Sequence, residues 1–456
     1  MFSDKGDVKP KKVEEVHVFK WWEENVTLPE GHKWVHLEHN GCMFPPDYTS
    51  HSQKMLYQGQ PITLTLEQEE VATMYASMLK TDYVAKPIFM KNFWAAFTRL
   101  LGPRHVIQEL KHCDFTPIER YIEDQRSAKK LEITGKEGAV VRRKLKEEKG
   151  IIEAPYKYAV LDNHKEQIGN FRVEPPGLFR GRGEHPRMGQ LKRRIASEDI
   201  TMSCGRGAVP PVCTIPGRAW RDLVHNVEST WLAKWEDSIN GETKFIYLAA
   251  SSSLKGKSDR DKFERARNLK KHIGDIRAAI TKGLQSKSDV EAQLFTATWI
   301  IDNLALRVGG EKDEHEADTV GCCSLRTEHV EVTTTPVHTF KLDFLGKDSI
   351  RYTNEITLEK VRKGEEQNFR TVVENIIKFK AAALARQLAK NGQAEDIFEL
   401  TPSDLNDHLR VGLLYIFLRC CVFVCLNACT GFGSAYSRHE IERESFSYIQ
   451  REPVPG

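Results

Sequence analysis

The sequence is short of several things, and each shortage closes a route. It has no charge excess: 67 Lys and Arg stand against 64 Asp and Glu, a net of +3 in 456 residues. An acidic partner must therefore be met by a local patch, not by the whole surface. There are ten cysteines, but no pair at zinc spacing has a partner pair, so reduced thiols are expected. Cys322-Cys323, after Gly321 in an apolar stretch, reads as core packing. No phosphate-cradling glycine loop is found. No apolar leader opens the chain: Asp4, Lys5 and Asp7 are followed by Lys9, Lys11 and Lys12. An intracellular protein is expected, and "KPKK" at 9–12 also fits a short nuclear signal. The one long apolar run, "VGLLYIFLRCCVFVCLNAC" (411–429), holds four of the ten cysteines. It falls short of the ~20 residues of a membrane span and carries Arg419 near its centre, so a membrane anchor is not expected.

What is present supports folded domains. Hydrophobic residues make up 40% of the chain. The length allows two or three domains of roughly 150 residues. "EEVATMYASML" (69–79) and "IFMKNFWAAFTRLL" (88–101) have helical spacing, with Phe89, Phe93 and Phe97 on one face as core residues. Pro87 suits that helix's first turn and Gly102-Pro103 its end. Residues 126–150 mix both charge signs and read as solvated helix. "YKYAVLD" (156–162) and "QIGNFRV" (167–173) read as strands, with a turn at Asn163-His164. Ser251-Ser252-Ser253 reads as a hinge. Beyond it, Phe263, Ala266, Leu269, Ile273, Ile276 and Ile280 mark one face of a long helix, with Arg260, Arg267, Lys270 and Lys271 opposite. Ser288 and Glu291 form a capping-box pattern for a helix running to Arg307 and stopping at Gly309-Gly310. Strand-like pieces follow at 329–335 and 338–345. One more helix covers "NFRTVVENIIKFKAAALARQLA", and another starts at Thr401-Pro402-Ser403-Asp404.

The densest basic stretch is "PPGLFRGRGEHPRMGQLKRR" (175–194). Arg180, Arg182, Arg187, Lys192, Arg193 and Arg194 stand there against Glu184 alone. Its glycines allow close backbone approach and its arginines can fork onto phosphate. With Lys255, Lys257 and Arg260 of "SLKGKSDRDKF" it suggests two walls of a basic groove. "DFLGKDSIRY" (343–352) reads as a β-hairpin with Lys347 on its tip.

These motifs carry a resemblance. "EPPGLFRGRGEHPRMG", "LALRVGGEKDEHEADTVGCCSLRTEHV" and "LDFLGKDSIRY", with "KWWEE" (20–24) and "KHCDFTPIERY" (111–121), closely resemble the eukaryotic type IB DNA topoisomerases over about residues 20–409. "ASSSLKGKSD" and the short spacing from Arg307 to Lys347 look most like the large subunit of the kinetoplastid enzymes, whose activity is split between two polypeptides. The resemblance implies an α+β fold, a two-lobed DNA clamp with a mixed cap domain and a mainly helical catalytic core carrying a small β-sheet. The expected parts are a flexible N-terminus (1–19), a cap (20–250), a core (251–409) and an unmatched apolar tail (410–456). The implied activity is supercoil relaxation. A tyrosine attacks a backbone phosphodiester, forms a 3′-phosphotyrosine, and is displaced again by the 5′-hydroxyl. The family uses no metal and no nucleotide cofactor, and works on double-stranded DNA in the nucleus. By the resemblance, Arg307 holds the non-bridging phosphate oxygens. Lys347 enters the minor groove and protonates the leaving 5′-oxygen. Arg182 and Asp348 line the cleavage site. Arg180, His185, Arg187, Lys192, Arg193, Lys255 and Lys257 are expected to bind DNA.

Three parts of the family's active site have no counterpart. The second arginine, from a "KVFRTYNAS"-like helix after "LNDHL" (405–409), is not found, and Arg419 has the wrong spacing. The histidine of an "LCNHQ"-like context is missing, and His439 does not replace it. None of the twelve tyrosines follows Ser-Lys at positions four and three before it. Tyr352 is therefore expected to be a strand residue. A small second chain would supply the Ser-Lys-x-x-Tyr nucleophile. The ending after Leu409 reads as truncated or altered sequence, and a catalytically inactive clamp fragment is the alternative. A tyrosine recombinase would need a sequence-specific target, against which the cap motifs argue.

Overall fold

A computed structural model describes residues 21–23, 28–310 and 315–412. The expectations for residues 1–19 and for nearly all of the apolar tail lie outside the described residues. The chain divides into two compact units: Met1–Phe179 with Gly189–Asp259, and Arg180–Met188 with Arg260–Gly456. Helices and several small sheets are mixed, so the class is α+β.

In the first unit, α1 (Leu66–Ala76) starts on a reciprocal cap. Thr65 Oγ1 accepts from Gln68 N, and Gln68 Oε1 accepts from Thr65 N at 3.0 Å. α2 (Pro87–Leu101) has Pro in its first turn, where the missing N–H costs nothing, and ends on Gly102 at φ +83°. Phe89, Phe93 and Phe97 are fully buried, and Tyr75 of α1 stacks on Phe93 with 3.9 Å between centroids. Each ring so withdrawn from water contributes about 1.5–3 kcal/mol. α3 (Thr116–Glu132) and α4 (Gly135–Glu153) bury only Ile118 and Gly138 between them, as their mixed charge requires.

Strands Tyr158–Leu161 and His164–Gln167 pair antiparallel. Their turn is Asp162-Asn163, at φ 46° and 68°, one residue before the expected place, and the second strand starts at His164. The shift has a cause. The Asp162 carboxylate accepts from Val35 N and His36 N at 2.8 and 2.7 Å, and Asx residues tolerate the left-handed turn. A four-stranded sheet runs in the order Asp222–Val224, Thr201–Ser203, Trp231–Glu236, Thr243–Tyr247. Trp34, Leu37, Met202, Leu232, Trp235 and Ile246 fill the core beside it.

The expected hinge is part of a helix start. Ser252 and Ser253 are buried, and Glu166 Oε2 accepts from Ser253 N at 2.8 Å. There α5 (Ser253–Gly283) begins, and the division between units falls inside it at Asp259/Arg260. Phe263 is 64% exposed, against the expected buried face, whereas Ile276 and Ile280 are buried. Only the part of α5 from Leu269 onward packs on the second unit's core.

That core lies between α6 (Asp289–Leu304), α7 (Glu366–Ala389), α8 (Pro402–Asp407) and a three-stranded antiparallel sheet. The sheet's strands are Val330–Thr333, Thr339–Leu345 and Arg351–Thr357. The α8 capping box is complete between Thr401 and Asp404. That of α6 is half made: Ser288 accepts from Glu291 N, but the Glu291 carboxylate takes the Ser286 hydroxyl.

Candidate active site and nucleic-acid interface

The tip of the hairpin is set by its ladder. Phe344 pairs with Tyr352 and Leu345 with Arg351. Beyond them Gly346 N bonds Ile350 O at 2.8 Å and Ser349 N bonds Gly346 O at 3.0 Å. Asp348 and Ser349 take φ 66° and 57° to close so tight a turn. Lys347 is exposed on that tip and has no ion pair among the described residues. Tyr352 is held differently. Its ring stacks on Phe344 at 5.1 Å, its hydroxyl accepts from Asn354 Nδ2 at 3.1 Å, and it packs on the core. It is a strand residue.

Arg307 was expected in the last turn of α6. The helix instead ends at Leu304, because Ala305 turns left-handed at φ 53°. Arg307 lies past that cap, in chain fixed by its neighbours' backbone. Cys322 N donates to Arg307 O at 2.8 Å and Cys323 N to Val308 O at 2.7 Å. The two cysteines are themselves buried, at 0% and 3% exposure. Burial pushes the Cys323 thiol up to about 12. Arg307, Gly321, Phe344, Lys347, Arg351 and Tyr352 line one cavity of about 220 Å³. The structure thus brings together the two residues expected to act on phosphate, from segments forty residues apart in sequence. Arg351, also on this cavity, was not singled out in the sequence; Asp343 takes both arms of its fork, at 2.8 and 2.6 Å.

The segment Arg180–Met188 belongs to this second unit. Arg182 and Asp348 form an ion pair. Gly183, at φ +58°, lies against Ser349, and a Cβ there would stand 2.9 Å from the Ser349 Cβ. His185 Nδ1 accepts from Arg187 N at 3.1 Å. Burial and the Arg187 charge hold this imidazole below its ordinary value, with Glu316 opposing. Arg180 is exposed and has no ion pair among the described residues.

In the first unit the expected phosphate-facing cations divide. Lys192 is engaged by Glu174 and by Asp237 at 3.3 Å. Burial works against its charge, but the two carboxylates outweigh it and raise the lysine. Arg193 forks onto Asp199 at 2.7 and 3.0 Å. Both cations expected to bind DNA are thus engaged by carboxylates of their own unit. Lys255 pairs with Asp259 one helical turn on, at 2.6 Å. Lys257 has no ion pair among the described residues. Sequence reading missed an aromatic face in the same unit. Trp231 and Tyr247 stand opposite each other in the ladder, as do Lys234 and Phe245. Phe245 and Tyr247 are 38% and 46% exposed, and the Lys234 ammonium lies 5.1 Å from the Trp231 ring. Tyr247 also borders a cavity of about 400 Å³ with Lys255 and Ser258. The alternation in "TKFIY" (243–247) was its only sequence signal.

No group of three or more His, Cys, Asp or Glu among the described residues could hold a metal ion. Two cations over one small cavity, neither in an ion pair among the described residues, have the chemistry to grip a phosphodiester's non-bridging oxygens and deliver a proton to a leaving oxygen. Such an arrangement is what the chemistry of phosphoryl transfer would ask of a site. The comparisons name its lineage. The family model described as "Eukaryotic DNA topoisomerase I, DNA binding fragment" matches residues 32–248, and "Eukaryotic DNA topoisomerase I, catalytic core" matches 251–421. DNA topoisomerase 1 beta of Arabidopsis thaliana is 48% identical over 396 residues, 86% of this chain and 40% of the relative. DNA topoisomerase 1 of Candidozyma auris is 42% identical over 412 residues, covering 88% and 52%. That of Schizosaccharomyces pombe is 46% identical over 346, covering 75% and 41%. The chain belongs to the eukaryotic type IB DNA topoisomerase I family. It spans two-fifths to one-half the length of these relatives. The core match runs to residue 421, past Leu409, so truncation there finds no support.

Proposed function

We propose that this chain forms the DNA-holding and phosphate-activating part of a type IB topoisomerase that relaxes supercoiled double-stranded DNA in the nucleus. The observation that carries the reading is the single cavity shared by Arg307 and Lys347. Arg307 holds the non-bridging oxygens as negative charge grows on the phosphorus centre. Lys347, on an exposed tip slim enough for a minor groove, gives its proton to the departing 5′-oxygen. The attacking group is a tyrosine hydroxyl: it gives up its proton to water, and its oxygen bonds to phosphorus as the bond to the 5′-oxygen breaks. Religation reverses these changes: the neutral lysine takes the 5′-hydroxyl's proton, and the departing tyrosine oxygen regains one from water. Arg182 and Asp348 hold the segment Arg180–Met188 beside the tip. Arg180 and Lys257, without ion pairs among the described residues, take up phosphates. Trp231, Phe245 and Tyr247 give an apolar face against sugars and bases.

The tyrosine is expected in a Ser-Lys-x-x-Tyr context, on another polypeptide as in the two-subunit kinetoplastid arrangement. The plant and yeast relatives lend that arrangement no support, and sequence belonging to the same protein is the other source. Mixing this chain with a polypeptide bearing Ser-Lys-x-x-Tyr and following plasmid relaxation without metal ions tests the reading. Relaxation that disappears with Lys347→Ala supports it. Salt-sensitive DNA binding without any relaxation would reduce the chain to a clamp that cannot cut.

A further inference from the structure

One loop touches the segments of both residues expected to act on phosphate. Val320 N donates to Leu345 O at 2.8 Å. Leu345 is the last rung of the hairpin, paired with Arg351, and stands two residues before Lys347. Cys322 N, two residues along the same loop, donates to Arg307 O at 2.8 Å. The backbone from Val320 to Cys322 therefore sets the lysine's turn against the arginine's segment. Gly321, between the two donors, gives its own N–H to Ser324 Oγ at 3.0 Å, so the loop shapes this short piece as well.

The ends of the loop are fastened to each other. Arg326 forks onto Asp318, eight residues earlier, at 3.0 and 2.7 Å. Arg326 is the fixed side. Its Nε meets Glu328 at 2.8 Å, its backbone N–H reaches His329 Nδ1 at 3.1 Å, and it forms a β-bridge with Asp396. The Arg326 side chain is 23% exposed and that of Asp318 65%. A pair so open to water adds little stability. A two-armed fork still fixes direction, and a compact loop with joined ends keeps its shape. The inner half of the loop has another hold, because Cys322, Cys323 and Leu325 are buried in the core. The outer half, from Asp318 to Val320, has the fork.

We propose that the Asp318–Arg326 pair is a positioning device: by closing this loop it keeps Val320 on Leu345, and through Leu345 it sets Lys347 at its distance from Arg307. The pair acts through Lys347 and not on the phosphate itself. The inference rests on the reading of Lys347 as proton donor and Arg307 as the group that grips phosphate.

The test uses the full 456-residue chain mixed with a polypeptide bearing Ser-Lys-x-x-Tyr. Asp318→Asn should speed hydrogen exchange at the Val320 and Gly346 amides about 10-fold and leave those of Cys322 and Cys323 unchanged. Plasmid binding and the melting temperature should hold. Single-turnover cleavage should fall about 10-fold, as a small misplacement of the lysine costs rate. A 5′-thiol leaving group, which needs no proton, should restore most of that loss. Asp318→Glu, which keeps the carboxylate, should recover cleavage of ordinary DNA. Equal losses on both substrates would make the pair merely structural and overturn the proposal, as would an unaltered Val320 amide. Lys347→Ala separates the two claims. If the 5′-thiol does not relieve its defect, the proton-donor reading fails, and this inference with it. If the thiol relieves it while Asp318→Asn cuts at the normal rate, the positioning inference alone fails. Should no mixture cut, exchange decides: faster Val320 and Gly346 amides uphold the lock on the hairpin, and unaltered ones overturn it.

Discussion

The carbonyl oxygen of Arg307 accepts the backbone N–H of Cys322 at 2.8 Å. The residue expected to grip phosphate is thus aligned by a core pair that never meets solvent. The contact requires two glycines to pass: a Cβ on Gly321 would stand 2.9 Å from Arg307 O, and Gly309 faces it at φ +82°. Gly321→Ala should therefore lower relaxation about 100-fold by shifting Arg307 some fraction of an ångström. The accompanying loss of stability should be about 1–3 kcal/mol. Thermal unfolding and relaxation assays on the same preparation separate the effects, and unaltered relaxation would mean that this backbone contact does not align the arginine.

Lys347→Ala should lower the cleavage step by roughly 10²–10⁴-fold, the range for loss of a positioned proton donor. Plasmid binding should change little, since one cation among several is removed. Suicide substrates whose leaving group is a 5′-thiol, which needs no proton, should recover most of the rate. Failure of that rescue would take the acid role from Lys347.

Arg182→Ala should leave stability within about 1 kcal/mol, because both partners of its ion pair with Asp348 are solvent-exposed. Any large drop in relaxation would then report on the placement of Arg180–Met188. Urea unfolding beside relaxation distinguishes the cases; a cost of several kcal/mol would show the pair to be a structural lock.

Stability should fall as pH is lowered through the range below 6.5. His39 is 3% exposed, with Nδ1 accepting from Gly41 N at 3.0 Å and Nε2 donating to Ser203 O at 2.8 Å. Burial holds it below its ordinary value, with the Ser203 bond opposing. As pH drops under the unfolded value of 6.5, the unfolded chain takes a proton that the folded chain refuses, and folding weakens by up to about 1.4 kcal/mol per unit. His185, His329 and His408 shift the same way. Denaturant unfolding at several pH values between 7.5 and 5.5 should show the slope, and His39→Gln should reduce it. A flat profile would contradict this.

Cys322 and Cys323 should resist alkylation in the folded protein, since burial and a raised thiol both suppress the thiolate. Cys322→Ser should cost about 1–3 kcal/mol by burying a hydroxyl where a thiol packed. Rapid native-state labelling of either residue would place the Arg307 segment in a more open setting than described.

Much of this was legible in the residues. Phe89, Phe93 and Phe97 declare their buried face through spacing alone, and Gly102 announces the end of α2. The hairpin bearing Lys347 shows in the alternation on both sides of "GKDS". Local chemistry also gave the pairing of Cys322 and Cys323 with a core. These features depend on neighbours a few residues apart, which a sequence displays.

Other features depend on what the chain meets later. Ala305, an ordinary helix former, turns left-handed at φ 53° and ends α6, so Arg307 falls outside the helix that periodicity extends to it. Lys192 and Arg193 read as free cations in a basic run, and only folding brings Glu174, Asp237 and Asp199 against them. Phe263 keeps the apolar spacing of α5 yet stands in solvent, because the core begins further along the helix. The sequence alone determined the lineage and the class of fold, and it singled out the residues expected to act on phosphate, since those reside in composition and motif. Which cations meet carboxylates among the described residues, and that Arg307 and Lys347 share one cavity, was decided by tertiary structure, because charge pairing and convergence belong to distance in space and not to distance along the chain.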